Sequence, residues 1–372
     1  MEKKLKLLPI LLVGCVVFCC SGCIEQLTNP GTGDITRNNV FAPRSENWFL
    51  VDDAPPLIQV DKNGYTSRND FSFIDGSTAT VPLTAEIIRQ QEALCSPIET
   101  IFKTKGEEDS YDRSVNDYVD RYLHAKTHES YEHLIDGECK HDVDGFSNDY
   151  FRHTNRKTSV DLVFATRPSE EELIYAENNG VTLDIEELCN EAFVFIVNKS
   201  NPVDSLTISQ IQDIYQGQIT NWNQVGGNDQ EITAFQRNAN SGSQTAMEQL
   251  VMRGKPMIKP DLVQERVYIG MMQSLIEEVA KEYDDGPGSI GYTYNFYINA
   301  IYKHENIKVL KIEGVEPNAE TIKDKTYQLY TSYYGVIRKD DEDSDPRAKI
   351  LRDYLLTPSG QQYIELAGYF PL

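Results

Sequence analysis

The sequence predicts an α/β protein of two lobes built on mainly parallel sheets, and three observations point there. Its 372 residues exceed what one hydrophobic core ordinarily fills. Short apolar strands alternate with amphipathic helices through most of the chain, the pattern of βα units and a parallel sheet. Three strand-to-helix junctions, DGSTAT, ATRPS and RNANSGS, are rich in hydroxyls. In sheets of this kind ligands collect at the carboxyl ends of the strands, where helix N-termini face one point.

The chain begins with Lys3, Lys4 and Lys6, an apolar run from Leu7 to Cys20, and the small residues Ser21 and Gly22 ahead of Cys23. The run falls short of the roughly 20 residues that span a bilayer, so residues 1–22 read as a signal peptide. Residues 23–70, punctuated by Pro-Gly, Asn-Asn and Pro-Pro, read as a tether and an arm packed on the first lobe. A strand at Phe71 to Ile74 runs into DGSTAT and a helix from about Pro82, with Leu83, Ile87, Ile88 and Leu94 on one face. Glu107 to Asp120 is an acidic connection, Thr127 caps a helix stopped at Gly137, and residues 139–159 read as a surface insertion.

Asp161 to Ala165 is a short buried strand, followed by Thr166 and a helix whose capping box is Ser169 with Glu172. Ala192 to Val197 is the most apolar strand, and Thr207 with Gln210 opens the next helix, closed by Gly217. Val267 to Tyr283 forms an amphipathic helix whose Met271 and Met272 read as core. Ser289 to Tyr294 and Ile307 to Ile312 supply further strands. Asp345-Pro346 and Thr357-Pro358 open the last two helices, since proline is tolerated where the missing N–H has no intrahelical partner.

The stretch Glu231 to Arg253, EITAFQRNANSGSQTAMEQLVMR, organises the rest. A strand ends at Arg237, and a helix starts at Ser241, Gly242 and Ser243, with Ser241 and Gln244 in capping-box spacing. Free N–H groups, two hydroxyls and the positive end of the helix dipole meet there, and glycine lets a ligand approach the backbone. With the Arg237 guanidinium in reach, this is a socket for a small oxyanion; the same residues also fit a plain helix cap beside a surface arginine.

A net charge of -23 argues against nucleic acid and against attachment to anionic lipid through basic residues. An acidic protein that binds an anion must use local dipoles and fixed cations. No G-x-S-x-G and no ordered carboxylate and histidine set accompanies the socket, so nothing supports an enzyme. Cys95, Cys139 and Cys189 are odd in number, which leaves at least one outside any internal pair. His124, His128, His133, His141 and His153 cluster near Cys139 without metal-ligand spacing and read as a solvated surface.

The run IYQGQITNWNQVGG from Ile214 to Gly227, the R-x-x-x-S-G-S after it and the closing GQQYIELAGYFPL resemble the phosphate-binding lipoproteins of bacterial ABC uptake systems. The resemblance covers most of Phe71 to Leu372. It implies a two-lobed type II periplasmic-binding-protein fold with a hinge and an interlobe ligand cleft. Lobe one would be residues 71–197 with 326–372, and lobe two residues 198–325. Carried over by motif, the ligand contacts are Thr80, the Val81 amide, Thr127 and Thr166 from lobe one. Arg237, Ser241, the Gly242 amide and Ser243 come from lobe two.

The implied partners are inorganic phosphate or a similar oxyanion and ABC permease subunits, with no cofactor and no metal. Cys20 to Cys23 resembles a lipobox, with Cys20 where leucine is preferred, so Cys23 would carry the lipid that holds the protein to the outer side of the membrane. One departure concerns Thr166, where well-known members place an Asp that accepts a proton from hydrogen phosphate. Asp75 and Glu129 are the nearby carboxylates that could substitute, and Arg167 is either a second anion contact or a surface residue. An anion sensor, a surface-adhesion lipoprotein or a binder of another tetrahedral oxyanion remain alternatives on the same fold.

Overall fold

The computed structural model describes residues 49–51, 53–57, 73–95, 124–137, 160–258, 268–269, 272–281 and 288–372. The signal peptide, Cys23, the tether up to residue 48, the acidic connection, Cys139 and the 139–159 insertion lie outside the described residues.

Strand β1 (Ile74–Gly76) leads through a 3-10 turn, Thr78–Thr80, into α1 (Val81–Cys95). The polar residues Gln90 and Gln91 of α1 are buried because a segment of the N-terminal arm covers them. Gln90 accepts the Val51 amide at 3.0 Å and donates to the Phe49 carbonyl at 2.9 Å. Gln91 does the same with the Leu57 amide and the Pro55 carbonyl, at 2.8 and 3.0 Å. Helix α2 (Thr127–Asp136) departs from expectation at its start. Thr127 is its first helical residue, and the cap position is Lys126, at φ 76 with no side-chain capping bond. After β2 (Leu162–Ala165), α3 (Glu170–Asn178) begins with both arms of the Ser169 and Glu172 capping box in place.

Strand β3 (Leu183–Asn198) is far longer than its apolar half, Ala192 to Val197. Then come β4 (Ser205–Leu206) and α4 (Ile208–Tyr215), opened by the Thr207 and Gln210 capping box. Strands β5 (Ile232–Ala234) and β6 (Gln236–Arg237) precede α5 (Gly242–Ala246), which continues as a π-helical turn over Met247–Met252. They are followed by β7 (Tyr268–Ile269), α6 (Met272–Ala280), β8 (Gly288–Tyr294), β9 (Ile307–Val309), β10 (Lys311–Ile312) and α7 (Ala319–Lys323). Strand β11 (Tyr330–Arg338), α8 (Pro346–Leu355) and α9 (Pro358–Leu366) close the chain. Asp345 and Thr357 cap the last two helices, each with proline in the first turn.

The main sheet runs β1-β2-β11-β3-β8-β5, with β9 also on β3. The β1/β2 and β5/β8 pairs are parallel, as expected of βα units, but β11 is antiparallel to both β2 and β3, and β3 to both β8 and β9. The expectation of mainly parallel sheets therefore fails at the centre. There β3 passes from one half of the sheet to the other and β11 returns beside its first part, and a returning strand lies antiparallel to its neighbour.

Strand β3 is the crossing itself. Its first part, Leu183 to Ala192, pairs with β11, and from Phe193 onward it pairs with β8. A cluster of Phe193, Phe195, Tyr215 and Tyr292 packs behind the second part, with ring centroids 5.5 to 6.2 Å apart. Tyr131, Leu134, Val163 and Val336 form a smaller separate core under α2. Just before the change of partner lies Glu191, a buried residue whose carboxyl accepts the amides of Ala192 at 2.8 Å and Phe296 at 3.2 Å. Burial pushes that carboxyl up to about 8, against the pull of those amides.

Candidate functional site

The site grows from the end of β6. The Arg237 amide donates to the Gln244 side-chain oxygen at 3.2 Å and to the Tyr292 hydroxyl at 3.0 Å, and Tyr292 itself hydrogen-bonds to Gln244. A side chain from the first turn of α5 thereby grips the strand that precedes it. Ser241 accepts the Gln244 amide at 3.3 Å, one arm of the expected capping box. The other arm is missing, because the Gln244 side chain is spent on Arg237, Tyr292 and Glu248. Asn240, at φ 61, turns the chain into Ser241, a conformation asparagine tolerates better than most residues. The carbonyl of Gly242 accepts the Tyr294 hydroxyl at 2.8 Å.

Across from this turn lie two hydroxyls from the β1/β2 side. Thr166 follows β2, and its carbonyl accepts the Tyr131 hydroxyl at 2.7 Å, which fixes its position. Its own hydroxyl is buried, as is that of Ser243, and among the described residues neither makes a hydrogen bond of full geometry. The Tyr294 phenol lies close to Thr166, and with its proton given to the Gly242 carbonyl its oxygen is left as an acceptor facing the Thr166 hydroxyl. Thr127 is buried at the start of α2. The closeness of approach is measured by a hypothetical β-carbon on Gly242: it would fall 2.3 Å from Thr166 Oγ1 and 2.9 Å from Thr127 Oγ1. Only glycine fits there. Thr127, Thr166 and Gly242 therefore meet at one place, with Ser243 next in the chain and the Arg237 backbone tied to the same helical turn through Gln244.

The remaining expected contacts are differently engaged. The Thr80 hydroxyl is fully buried and reaches the Phe164 carbonyl at 2.7 Å and the Ser77 carbonyl at 2.9 Å. The Val81 amide donates to the Thr78 carbonyl. Behind them sits His124, whose Nδ1 is 2.8 Å from the Ser77 carbonyl and whose Nε2 is 2.8 Å from Thr84 Oγ1. Those partners assign the proton to Nδ1, with Nε2 accepting from Thr84. Burial lowers its pKa, opposed by Asp75 and by the Ser77 bond, so the ring is neutral at neutral pH. His124 and the mostly buried His133 thus correct the reading of these histidines as a solvated surface.

Asp75 does not face the convergence point. Its carboxylate accepts the amides of Gly76 at 2.7 Å and Ala125 at 2.8 Å and pairs with His133 at 2.8 Å. Glu129 lies 3.8 Å from Lys126 and is half exposed. Arg167 is exposed, with its guanidinium 5.8 Å from the centroid of the Tyr334 ring.

The electrostatics favour an anion. Arg237 is buried, and that burial lowers its pKa, while Tyr292, Tyr294 and Tyr297 act in the opposite sense. Burial also pushes Tyr297 up to about 12, so its phenol is neutral. A guanidinium held where water is scarce interacts more strongly with a negative ligand than one in solvent. Among the described residues, no group of three or more His, Cys, Asp or Glu side chains is placed to hold a metal ion.

Tyr131, Tyr292 and Tyr294 escaped the sequence reading, and Gln244 was read only as half of a capping box. The alternation of β8 was the available signal, since Tyr292 and Tyr294 stand two apart and so share a face.

Comparison with known proteins adds a family and a fold. The family model described as the PBP superfamily domain matches residues 96–364. The phosphate-binding protein PstS of Borreliella burgdorferi is 28% identical over 182 residues, which cover 48% of this chain and 62% of that protein. PstS of Bacillus subtilis is 25% identical over 177 residues, 47% of this chain and 53% of that protein. The chain thus spans between about half and three-fifths of the length of the curated relatives it matches. Among solved structures, a putative phosphate ABC transporter substrate-binding protein with bound phosphate from Clostridium perfringens aligns with a TM-score of 0.53 at 20% identity. That alignment covers 80% of this chain and 98% of the other. An ABC-type phosphate transport receptor from Vibrio cholerae aligns with a TM-score of 0.50 at 22% identity, covering 80% and 99%. At such identities the likeness shows the fold.

Proposed function

The chain belongs to the PBP superfamily, and on that premise we propose that it is an extracytoplasmic solute-binding protein that captures inorganic phosphate between two lobes and delivers it to an ABC permease. The lobes in this reading are residues 71–197 with 326–372 and residues 198–325. The observation that carries it is the approach of Gly242 to the hydroxyls of Thr127 and Thr166 beside buried Arg237. Arg237 supplies the charge, while Ser241, Ser243, Thr127, Thr166 and the Gly242 amide surround the oxyanion. Thr80 and the Val81 amide join them only by exchanging their bonds to Phe164 and Thr78. The phosphate assignment draws its support from the names of the relatives.

A charged hydrogen bond contributes about 1.5 to 3 kcal/mol and a neutral one about 0.5 to 1.5. Several together reach the ~5.5 kcal/mol that moves a closure equilibrium from 1:99 to 99:1, and closure by hinge motion marks the loaded state for a membrane partner. Binding rather than catalysis fits the buried hydroxyls of Thr166 and Ser243, to which no base among the described residues is hydrogen-bonded. A lipid on Cys23 is the proposed anchor.

A second reading, a fully deprotonated oxyanion such as sulfate, is favoured by Thr166, because a hydroxyl both donates and accepts and so rejects neither ion. The test of the site is Arg237→Ala in the purified protein. Calorimetry should show phosphate binding weakened roughly ten- to a hundredfold, and unchanged affinity would place the site elsewhere.

A further inference from the structure

Two hydrogen bonds flank the convergence of Gly242 with Thr127 and Thr166, and the groups that make them are not among the proposed ligand contacts. The Asn240 side-chain amide donates to Glu171 Oε2 at 2.8 Å, and the Gln249 side-chain amide donates to the Pro168 carbonyl at 3.3 Å. Asn240 precedes the Ser-Gly-Ser turn, and Gln249 lies on the exposed side of the helical turn that follows. Pro168 and Glu171 are the approach to α3 and its first turn. Both bonds therefore span the same gap as the ligand contacts, but at its solvent edge. Glu171 is not needed to start α3, because Ser169 and Glu172 already satisfy that end.

We infer that Asn240 with Glu171, and Gln249 with Pro168, form a latch across the rim of the cleft that holds the closed form and sets how long the ligand stays. The inference rests on the reading that an anion binds between the lobes. Bonds made only when the lobes meet add to the closed population and raise apparent affinity without touching the ligand. Capture begins from the open form, in which the latch is parted, so its effect falls on release. Glu171 is charged, which strengthens its bond, yet solvent at the rim keeps the contribution of each contact small.

The experiment measures phosphate dissociation by stopped flow on purified protein carrying Glu171→Ala, Gln249→Ala or both. Each single change should speed release about two- to fivefold, with association altered less than twofold, and the double variant should show the product of the two. Glu171→Gln keeps a carbonyl oxygen as acceptor and should restore slow release. Asn240→Gly keeps the left-handed backbone and should behave as Glu171→Ala. Unchanged release in the double variant overturns the latch, as does an equal fall in association. If the wild type fails to bind phosphate, the functional reading fails separately. The latch is then read in ligand-free protein by paramagnetic relaxation enhancement at the Asn228 amide from a spin label at Glu177, which senses a minor closed population. A weaker enhancement in the double variant supports it, and equal enhancement overturns it.

Discussion

Replacing Gly242 by alanine adds one methyl group at the point where the two halves of the site meet. In the structure that carbon would lie 2.3 Å from Thr166 Oγ1, 2.9 Å from Thr127 Oγ1 and 3.4 Å from Thr166 Cβ. Non-bonded atoms prefer about 3.5 Å or more, so the worst overlap exceeds 1 Å. Thr166 has little room to yield, since it is buried and β-branched and its carbonyl is held by Tyr131. Both clashing residues lie on the side of the cleft opposite Gly242, so parting the lobes relieves the overlap. The cost, about 1 to 3 kcal/mol for overpacking of this kind, then falls on the closed form alone. Phosphate affinity should drop about 5- to 150-fold, while the ligand-free melting temperature should hold steady, because alanine suits a helical first turn better than glycine. Titration calorimetry and ligand-free thermal unfolding measure the two quantities. Affinity within twofold of wild type would refute the reasoning, and so would an equal loss of ligand-free stability, which would mean that the methyl also clashes with the lobes apart.

Glu191→Gln should flatten the pH dependence of stability. A carboxyl at about 8 when folded and near 4.5 when unfolded binds its proton more tightly in the folded protein, so its contribution is complete below about pH 4.5 and is lost as pH rises through 8. Between pH 6 and 8 the wild type should lose about 2 kcal/mol that the variant retains, and parallel urea-unfolding curves at both pH values would contradict this. Asp75→Asn should cost about 1 to 3 kcal/mol in unfolding free energy, through the Gly76 and Ala125 amides and His133. It should leave the ratio of phosphate to sulfate affinity unchanged; a collapse of that ratio would return Asp75 to the ligand. Cys23→Ala should abolish incorporation of labelled fatty acid, and a wild type that never incorporates the label would remove the anchor.

Helix starts were legible in the sequence because capping is local. Ser169 with Glu172 and Thr207 with Gln210 complete their bonds within four residues, and Asp345 and Thr357 cap their helices just ahead of a proline. Strand β11 was not legible. Its YTSYYGVIR mixes serine, glycine and five polar-tipped or charged side chains, and it is a strand because β2 and β3 lie on either side of it. The first half of β3, LDIEELCNE, is hidden for the same reason.

In the site, the strand end at Arg237 and the Ser-Gly-Ser turn follow from adjacent residues and were found. The engagement of Thr80 depends on the Phe164 carbonyl 84 residues away, and the grip of Tyr294 on Gly242 spans 52 residues. No local pattern encodes either bond. Asp75 shows the same limit from the other side. Its place beside a hydroxyl loop suited it to meet a ligand proton, whereas its carboxylate is turned toward His133 and the Ala125 amide, 58 and 50 residues on.

The central claim is that the hydroxyls of Thr127, Thr166 and Ser243 close with Arg237 around phosphate. Calorimetric titration of the purified wild-type protein with phosphate and then with sulfate, at neutral pH and fixed ionic strength, tests it most directly. One phosphate bound per chain, more tightly than sulfate, is the expected result. Sulfate binding as tight as phosphate, or no phosphate binding at all, would contradict it.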